Sequence, residues 1–143
     1  SRALALSLLK RNRCALSARP SLFQKNPLPM ISHLRPAQVP DWLANSALDG
    51  TVPVVLDVRE PWELQTASVA AQGFELLAIP MGSLQSQLDS LDPARPVACL
   101  CHHGVRSLRV AAYLAQQGFE NVSNITGGID AWAHEFDPSV PLY

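Results

Sequence analysis

From Ile31 onward the apolar and polar positions follow two alternating patterns. ISHLR (31–35), VPVVLDV (52–58), FELLAI (74–79), VACLC (97–101) and NVSNI (121–125) are short runs rich in apolar and β-branched residues. They predict five strands. VACL is apolar at every position, which suits a strand covered on both faces. Between the strands, VPDWLANS (39–46), EPWELQT (60–66), SLQSQLDSL (83–91) and RSLRVAAYLAQQ (106–117) predict helices, and IDAWAHEF (129–136) closes the series. In SLQSQLDSL, Leu84, Leu88 and Leu91 recur at i, i+4 and i+7 and form one apolar stripe. Gly118 after Gln117 suits a helix C-terminal cap, with Phe119 placed to pack back on the last turn. Strands alternating with helices at this spacing predict an α/β fold: a mostly parallel, five-stranded sheet with helices on both faces.

Composition narrows the function classes. A chain of 143 residues, 48% hydrophobic, suits one domain that buries a core without staples. Its charge is unevenly spread. Residues 1–40 hold seven basic residues and no acid, whereas 41–143 hold four basic residues and twelve acids. The acidic body repels phosphates, so no nucleic-acid partner is expected. No run approaches the length of a transmembrane helix, so no membrane partner is expected. The Ser-, Ala-, Leu- and Arg-rich segment 1–29 reads as a basic N-terminal extension with a short helix near 2–15, and 30–143 as the domain. Met30 as a natural start, with an over-long gene reading or cloning remnant before it, implies a cytoplasmic protein. A transit-like segment implies a mitochondrial one, and a packing or dimerising arm is the third reading. Three cysteines, Cys14, Cys99 and Cys101, do not make a disulfide framework. Cys99 and Cys101 lie too close along an extended strand to bridge without strain. A reducing compartment is expected, with a thiol left for chemistry.

The chemistry concentrates in CHHGVRS, Cys101 to Ser107, between the apolar run and the helix that follows. Ligands of open α/β sheets bind at the carboxyl ends of the strands, which is where Cys101 falls. A loop leading into a helix N-terminus turns its backbone N–H groups toward one anion. Gly104 permits the tight curvature, and Ser107 is the expected N-cap. Converging donors, the helix dipole and Arg106 favour a thiolate, so Cys101 is the candidate nucleophile. Cys99 reads as core filler. His102 and His103 read as loop side chains. A zinc site wants paired ligands at other spacings, so neither metal nor cofactor is expected.

The run Cys101-His102-His103-Gly104-Val105-Arg106-Ser107 resembles the C-x-x-G-x-R active-site loop of single-domain rhodaneses. LDVREPWEL (56–64) resembles the family's D-V-R-E-P segment, Ile79-Pro80 its later I-P, and GFENVSNITGGIDAW (118–132) its closing stretch. The resemblance covers about 31–143 in order. It implies the rhodanese fold and sulfane-sulfur transfer through a Cys101 persulfide, from a donor such as thiosulfate to cyanide, a thiol or a protein cysteine. It implies a cradle of backbone donors from His102, His103, Gly104, Val105 and Arg106, with Arg106 attracting the anionic donor. Asp57 and Arg59 either brace the loop, line its mouth or form a structural ion pair, and Trp132 packs in the core or walls the pocket. TASVAAQGFELLA (66–78) departs from the family's G-H-I-x-G-A, so a changed loop near the site is expected. Four residues separate Cys101 from Arg106, one fewer than in cysteine phosphatases, so a phosphoryl group should fit badly. A non-catalytic sulfur-sensing or protein-interaction module is the alternative, and a monomer or weak homodimer is expected.

Overall fold

In a computed structural model, which describes residues 31–48 and 50–143, all five expected strands pair in one sheet. They are β1 (Ser32–Leu34), β2 (Val54–Asp57), β3 (Glu75–Ala78), β4 (Val97–Leu100) and β5 (Val122–Ile125). The order is β1-β5-β4-β2-β3 and every pairing is parallel. The helices are α1 (Val39–Leu48), α2 (Pro61–Thr66), α3 (Val105–Gln116) and α4 (Gly128–Glu135). The basic extension expected over 1–29, with its short helix and Cys14, lies outside the described residues.

Side chains on a strand alternate between faces. In β4, Val97 and Cys99 therefore join one core, with Leu56, Leu84, Leu91, Val110 and Leu114. Ala98 and Leu100 join the other, with Val39, Val55, Ile129 and Trp132. That is why VACL carries no polar position: helices cover it on both sides. The same alternation puts Cys101 on the face that α3 covers.

Two local expectations change. SLQSQLDSL forms 3₁₀ turns (Met81–Ser83 and Gln85–Ser90) instead of an α-helix. Ser86 and Ser90 hydroxyls donate to the carbonyls of Ser83 and Gln87, three residues back, and compete with regular helix bonding. The apolar stripe survives, with Leu84 and Leu91 buried and Leu88 packed against the core. Ser107 is not the N-cap. Gly104 takes that place at φ 99°, the helix starts at Val105, and Ser107 lies buried inside its first turn. At the other end Gly118, at φ 96°, closes α3 as expected, and Phe119 N–H donates back to Leu114 O at 3.1 Å.

Candidate active site

Cys101 follows the last residue of central strand β4 and is 1% exposed. Its Sγ accepts the Gly104 N–H at 3.0 Å. It also lies 3.3 Å from the Ser107 hydroxyl oxygen. Ser107 donates to Asn124 Oδ1, and Asn124 Nδ2 donates to Gly104 O at 3.2 Å. Strand register brings Asn124 there, because it pairs with Cys99 across β4 and β5. With its proton on Asn124, Ser107 offers a lone pair to a thiol S–H. Turning the hydroxyl offers a proton to a thiolate instead.

The loop's curvature is held from outside. Ile129 N–H, in the first turn of α4, donates to Cys101 O at 2.8 Å, and Asp130 N–H donates to His102 O at 3.2 Å. Planar trans peptides then turn the N–H groups of His102 and His103 away from α4. This docking requires Gly128: a Cβ there would lie 2.3 Å from His102 O and 2.5 Å from Cys101 O, at a φ of +63°. At Gly104 a Cβ would approach Gly127 N to 3.1 Å. The Gly127-Gly128 pair thus lets a helix N-terminus seat directly on the nucleophile's loop.

Arg106 does not stand as an open fork for an anionic donor. Its Nη1 and Nη2 donate to the two oxygens of Glu63, each at 2.7 Å. Arg106 holds the Glu63 carboxyl at about 2, well below its usual range, against burial that opposes this. Arg59 is fully buried and forks onto Asp57 at 2.9 and 2.7 Å. It also donates to Ala67 O at 2.9 Å, to Glu63 O at 3.3 Å and to the Tyr143 hydroxyl at 2.9 Å. Tyr143 in turn donates to Glu63 Oε1 at 3.0 Å. One chain of polar contacts therefore runs Asp57–Arg59–Tyr143–Glu63–Arg106. Asp57 and Arg59 brace the site's support and do not touch the loop in these contacts. The segment that departs from G-H-I-x-G-A is anchored at Ala67 by the same arginine.

The Tyr143 ring stacks on His102 at 3.9 Å and 6°, and His103 stacks on the other side at 3.9 Å. His102 Nε2 is buried and has no hydrogen-bond partner. Burial pushes the Cys99 thiol up, so it stays protonated and neutral. Trp132 is fully buried and packs edge-on against Phe74 and Phe136, which makes it core.

Glu63, Ser107 as a sulfur neighbour, Asn124 and Tyr143 were not among the candidates read from the sequence. Only Glu63 carried a local signal: it stands three residues after the helix N-cap Glu60 and accepts the Glu60 N–H at 2.9 Å, half of a capping box. Asn124 and Tyr143 act across 17 to 84 residues of chain, as with Ser107–Asn124 and Arg59–Tyr143, and no spacing rule reaches that far. Ser107 stands six residues after Cys101, but it meets the sulfur only because the helix starts at Val105.

Comparison with known proteins agrees with the fold. The family profile described as the rhodanese-like domain matches residues 39–135. The chain is 42% identical over 91 residues to the chloroplastic rhodanese-like/PpiC domain-containing protein 12 of Arabidopsis thaliana, covering 62% of this chain and 30% of that protein. It therefore spans less than a third of that relative's length. It is 39% identical over 90 residues to the thiosulfate sulfurtransferase GlpE of Actinobacillus succinogenes, covering 63% of this chain and 78% of that protein. Among solved structures, a rhodanese-related protein from Thermoplasma volcanium superposes with a TM-score of 0.60 at 31% identity, over 78% of this chain and 99% of that one.

Proposed function

The chain belongs to the rhodanese-like domain family, and from that premise we propose that it is a sulfurtransferase working through a Cys101 persulfide. The observation that carries this reading is the surroundings of Cys101 Sγ: at the end of a central parallel strand, with the Gly104 N–H donated to it at 3.0 Å and the Ser107 hydroxyl at 3.3 Å.

In the first half-reaction the Cys101 thiolate attacks the outer sulfur of thiosulfate. The bond between the two thiosulfate sulfurs breaks, its electron pair leaves on sulfite, and Cys101 carries S–S⁻. In the second, an acceptor nucleophile attacks the outer sulfur and the electron pair of the Cys101 S–S bond returns to Sγ. Charge and electrons balance without a cofactor, as in two-step covalent catalysis. The Gly104 N–H and the Ser107 hydroxyl support the sulfur anion, while the loop N–H groups turned from α4 extend the cradle to the outer sulfur. Glu63 holds Arg106 in a fixed bidentate arrangement, and Tyr143 ties that pair to the buried Asp57–Arg59 pair.

Intact-mass measurement after incubation with thiosulfate, and separately with 3-mercaptopyruvate, tests the reading. A gain of one sulfur on the wild type, removed by cyanide and missing from Cys101→Ser, is expected. No gain from either donor would leave the alternative of a non-catalytic partner-binding module.

A further inference from the structure

Over residues 31–143 the chain has five arginines and no lysine against twelve acids. Four of the arginines are ion-paired: Arg35 with Glu135, Arg59 with Asp57, Arg95 with Glu75 and Arg106 with Glu63. Among the described arginines Arg109 alone has no carboxylate partner. It is exposed on α3 and lines a cavity of about 220 Å³ with Met81, Leu84, Gln85, Val110 and Tyr113. That wall is apolar apart from Gln85, Arg109 and the Tyr113 hydroxyl.

The cavity opens between α3 and the turns after β3, toward the end of the sheet that carries the nucleophile. Met81 N–H donates to Val58 O, and Val58 N–H donates to Leu100 O, each at 3.0 Å, so Met81 stands at the same end of the sheet as Cys101. Leu84 and Val110 share the core cluster of Cys101. Arg109 is four residues past the start of α3, about 6 Å along its axis. Helical side chains lean toward the N-terminus, so its guanidinium covers the turn that leads back to the loop. Around the same end, Val105 is 65% exposed and Leu108 40%, which leaves the approach apolar as well.

A wall of this kind suits an apolar body ending in one negative charge, not a small inorganic dianion. Among the described arginines, Arg109 supplies the one cation without a carboxylate partner, on a stretch (31–143) whose charges are mostly acidic. The volume is below the roughly 300 Å³ at which pockets for drug-sized ligands begin, so the occupant is small.

We infer that this groove seats the sulfur acceptor, and that the acceptor is a small organic thiol bearing a carboxylate on an apolar stem. The inference rests on the persulfide reading above. The carboxylate meets Arg109, the stem lies on Met81, Leu84 and Val110, and the thiolate sulfur reaches the outer sulfur on Cys101. That attack forms the acceptor's S–S bond and breaks the Cys101 S–S bond, with the electron pair returning to Sγ. The acceptor leaves as a persulfide, and no oxidant or reductant is consumed.

The test compares two acceptors that differ only at the far end, mercaptohexanoate and mercaptohexanol. Cys101 persulfide is loaded from thiosulfate, the donor is removed, and loss of the extra sulfur is followed at sub-saturating acceptor. The acid should react about tenfold faster than the alcohol, as one charge-assisted hydrogen bond allows. Arg109→Gln should bring the ratio close to one, with the alcohol as internal reference. A ratio near one in the wild type, or a ratio that Arg109→Gln leaves unchanged, overturns the inference.

A second arm needs no sulfur transfer. Hexanoate is titrated into Cys101→Ser protein and amide shifts are followed by NMR. Saturable shifts at Met81, Leu84 and Tyr113, lost in Arg109→Gln, are expected. If they occur while no persulfide ever forms on the wild type, the functional reading fails and the binding site stands. If the persulfide forms and hexanoate does not bind, the groove assignment fails alone.

Discussion

At the residue scale, two cysteines two positions apart meet different environments. Cys101 Sγ is met by an N–H and a hydroxyl, whereas Cys99 is sealed in the core with its thiol pushed up by burial. Cys101→Ser should therefore abolish the persulfide mass gain and turnover. Cys99→Ser should keep turnover and lose about 1–3 kcal/mol of stability, read by urea unfolding, because a hydroxyl replaces an apolar thiol without a partner. Equal loss of turnover in both folded variants would mean a two-thiol mechanism. Glu63 is a second residue-scale case. Its carboxyl sits at about 2 in the folded chain against an ordinary 4.5. A depressed carboxyl stabilises the fold above its unfolded value, and that contribution drains away as pH falls from 4.5 toward 2. Unfolding free energies taken from pH 6 down to pH 2 should drop more steeply for the wild type than for Glu63→Gln, by up to about 3 kcal/mol. Parallel curves would show that the Arg106–Glu63 pair adds nothing to stability.

At the scale of elements, the loop's shape depends on what packs against it. The first turn of α4 donates to two loop carbonyls, and Gly128 leaves no room for a side chain between them. Gly128→Ala should displace the α4 N-terminus and the loop together, cutting sulfur transfer by about a hundredfold, since an ångström of misplacement at a reacting centre has that effect. Thermal unfolding and thiosulfate turnover measured side by side check this: intact turnover in the variant would refute the seating role of the glycine. Tyr143 acts from the segment after α4. Its ring covers His102 and its hydroxyl bridges Arg59 and Glu63. Tyr143→Phe keeps the stack and loses the bridge; Tyr143→Ala loses both. The first should reduce the rate of persulfide formation several-fold and the second further, at similar melting temperature, because the tyrosine orients a loop that is already folded. Two variants with one common rate would assign the effect to the hydroxyl alone.

At the scale of the molecule, a parallel sheet sandwiched by helices brings the ends of β4, β2 and β3 to one edge, and the site is built there. Every residue in the polar chain and the loop falls within 57–143, while the basic segment 1–29 lies before the first strand. A chain starting at Met30 should therefore fold and transfer sulfur at the full-length rate; loss of most activity on truncation would make the segment part of the working protein. Much of this molecule was legible along the chain. β-Branched runs, the stripe of Leu84, Leu88 and Leu91, and the Gly118 stop depend on neighbours within one or two turns, so local pattern specifies the five strands, their order in sequence and the cysteine at the end of β4. The 3₁₀ form of SLQSQLDSL was local too, but it rested on serine side chains competing for carbonyls, which hydrophobic period does not register. Pairing across long stretches of chain was not legible. Whether Arg106 faces a ligand or a carboxylate depends on Glu63, which lies 43 residues away. Whether Ser107 caps a helix or serves the sulfur depends on Asn124 and on where α3 begins. Those outcomes follow from strand register and from the close seating of α4, which only the folded chain brings together; short-range spacing encodes the elements, and the contacts between their ends decide how the nucleophile is held.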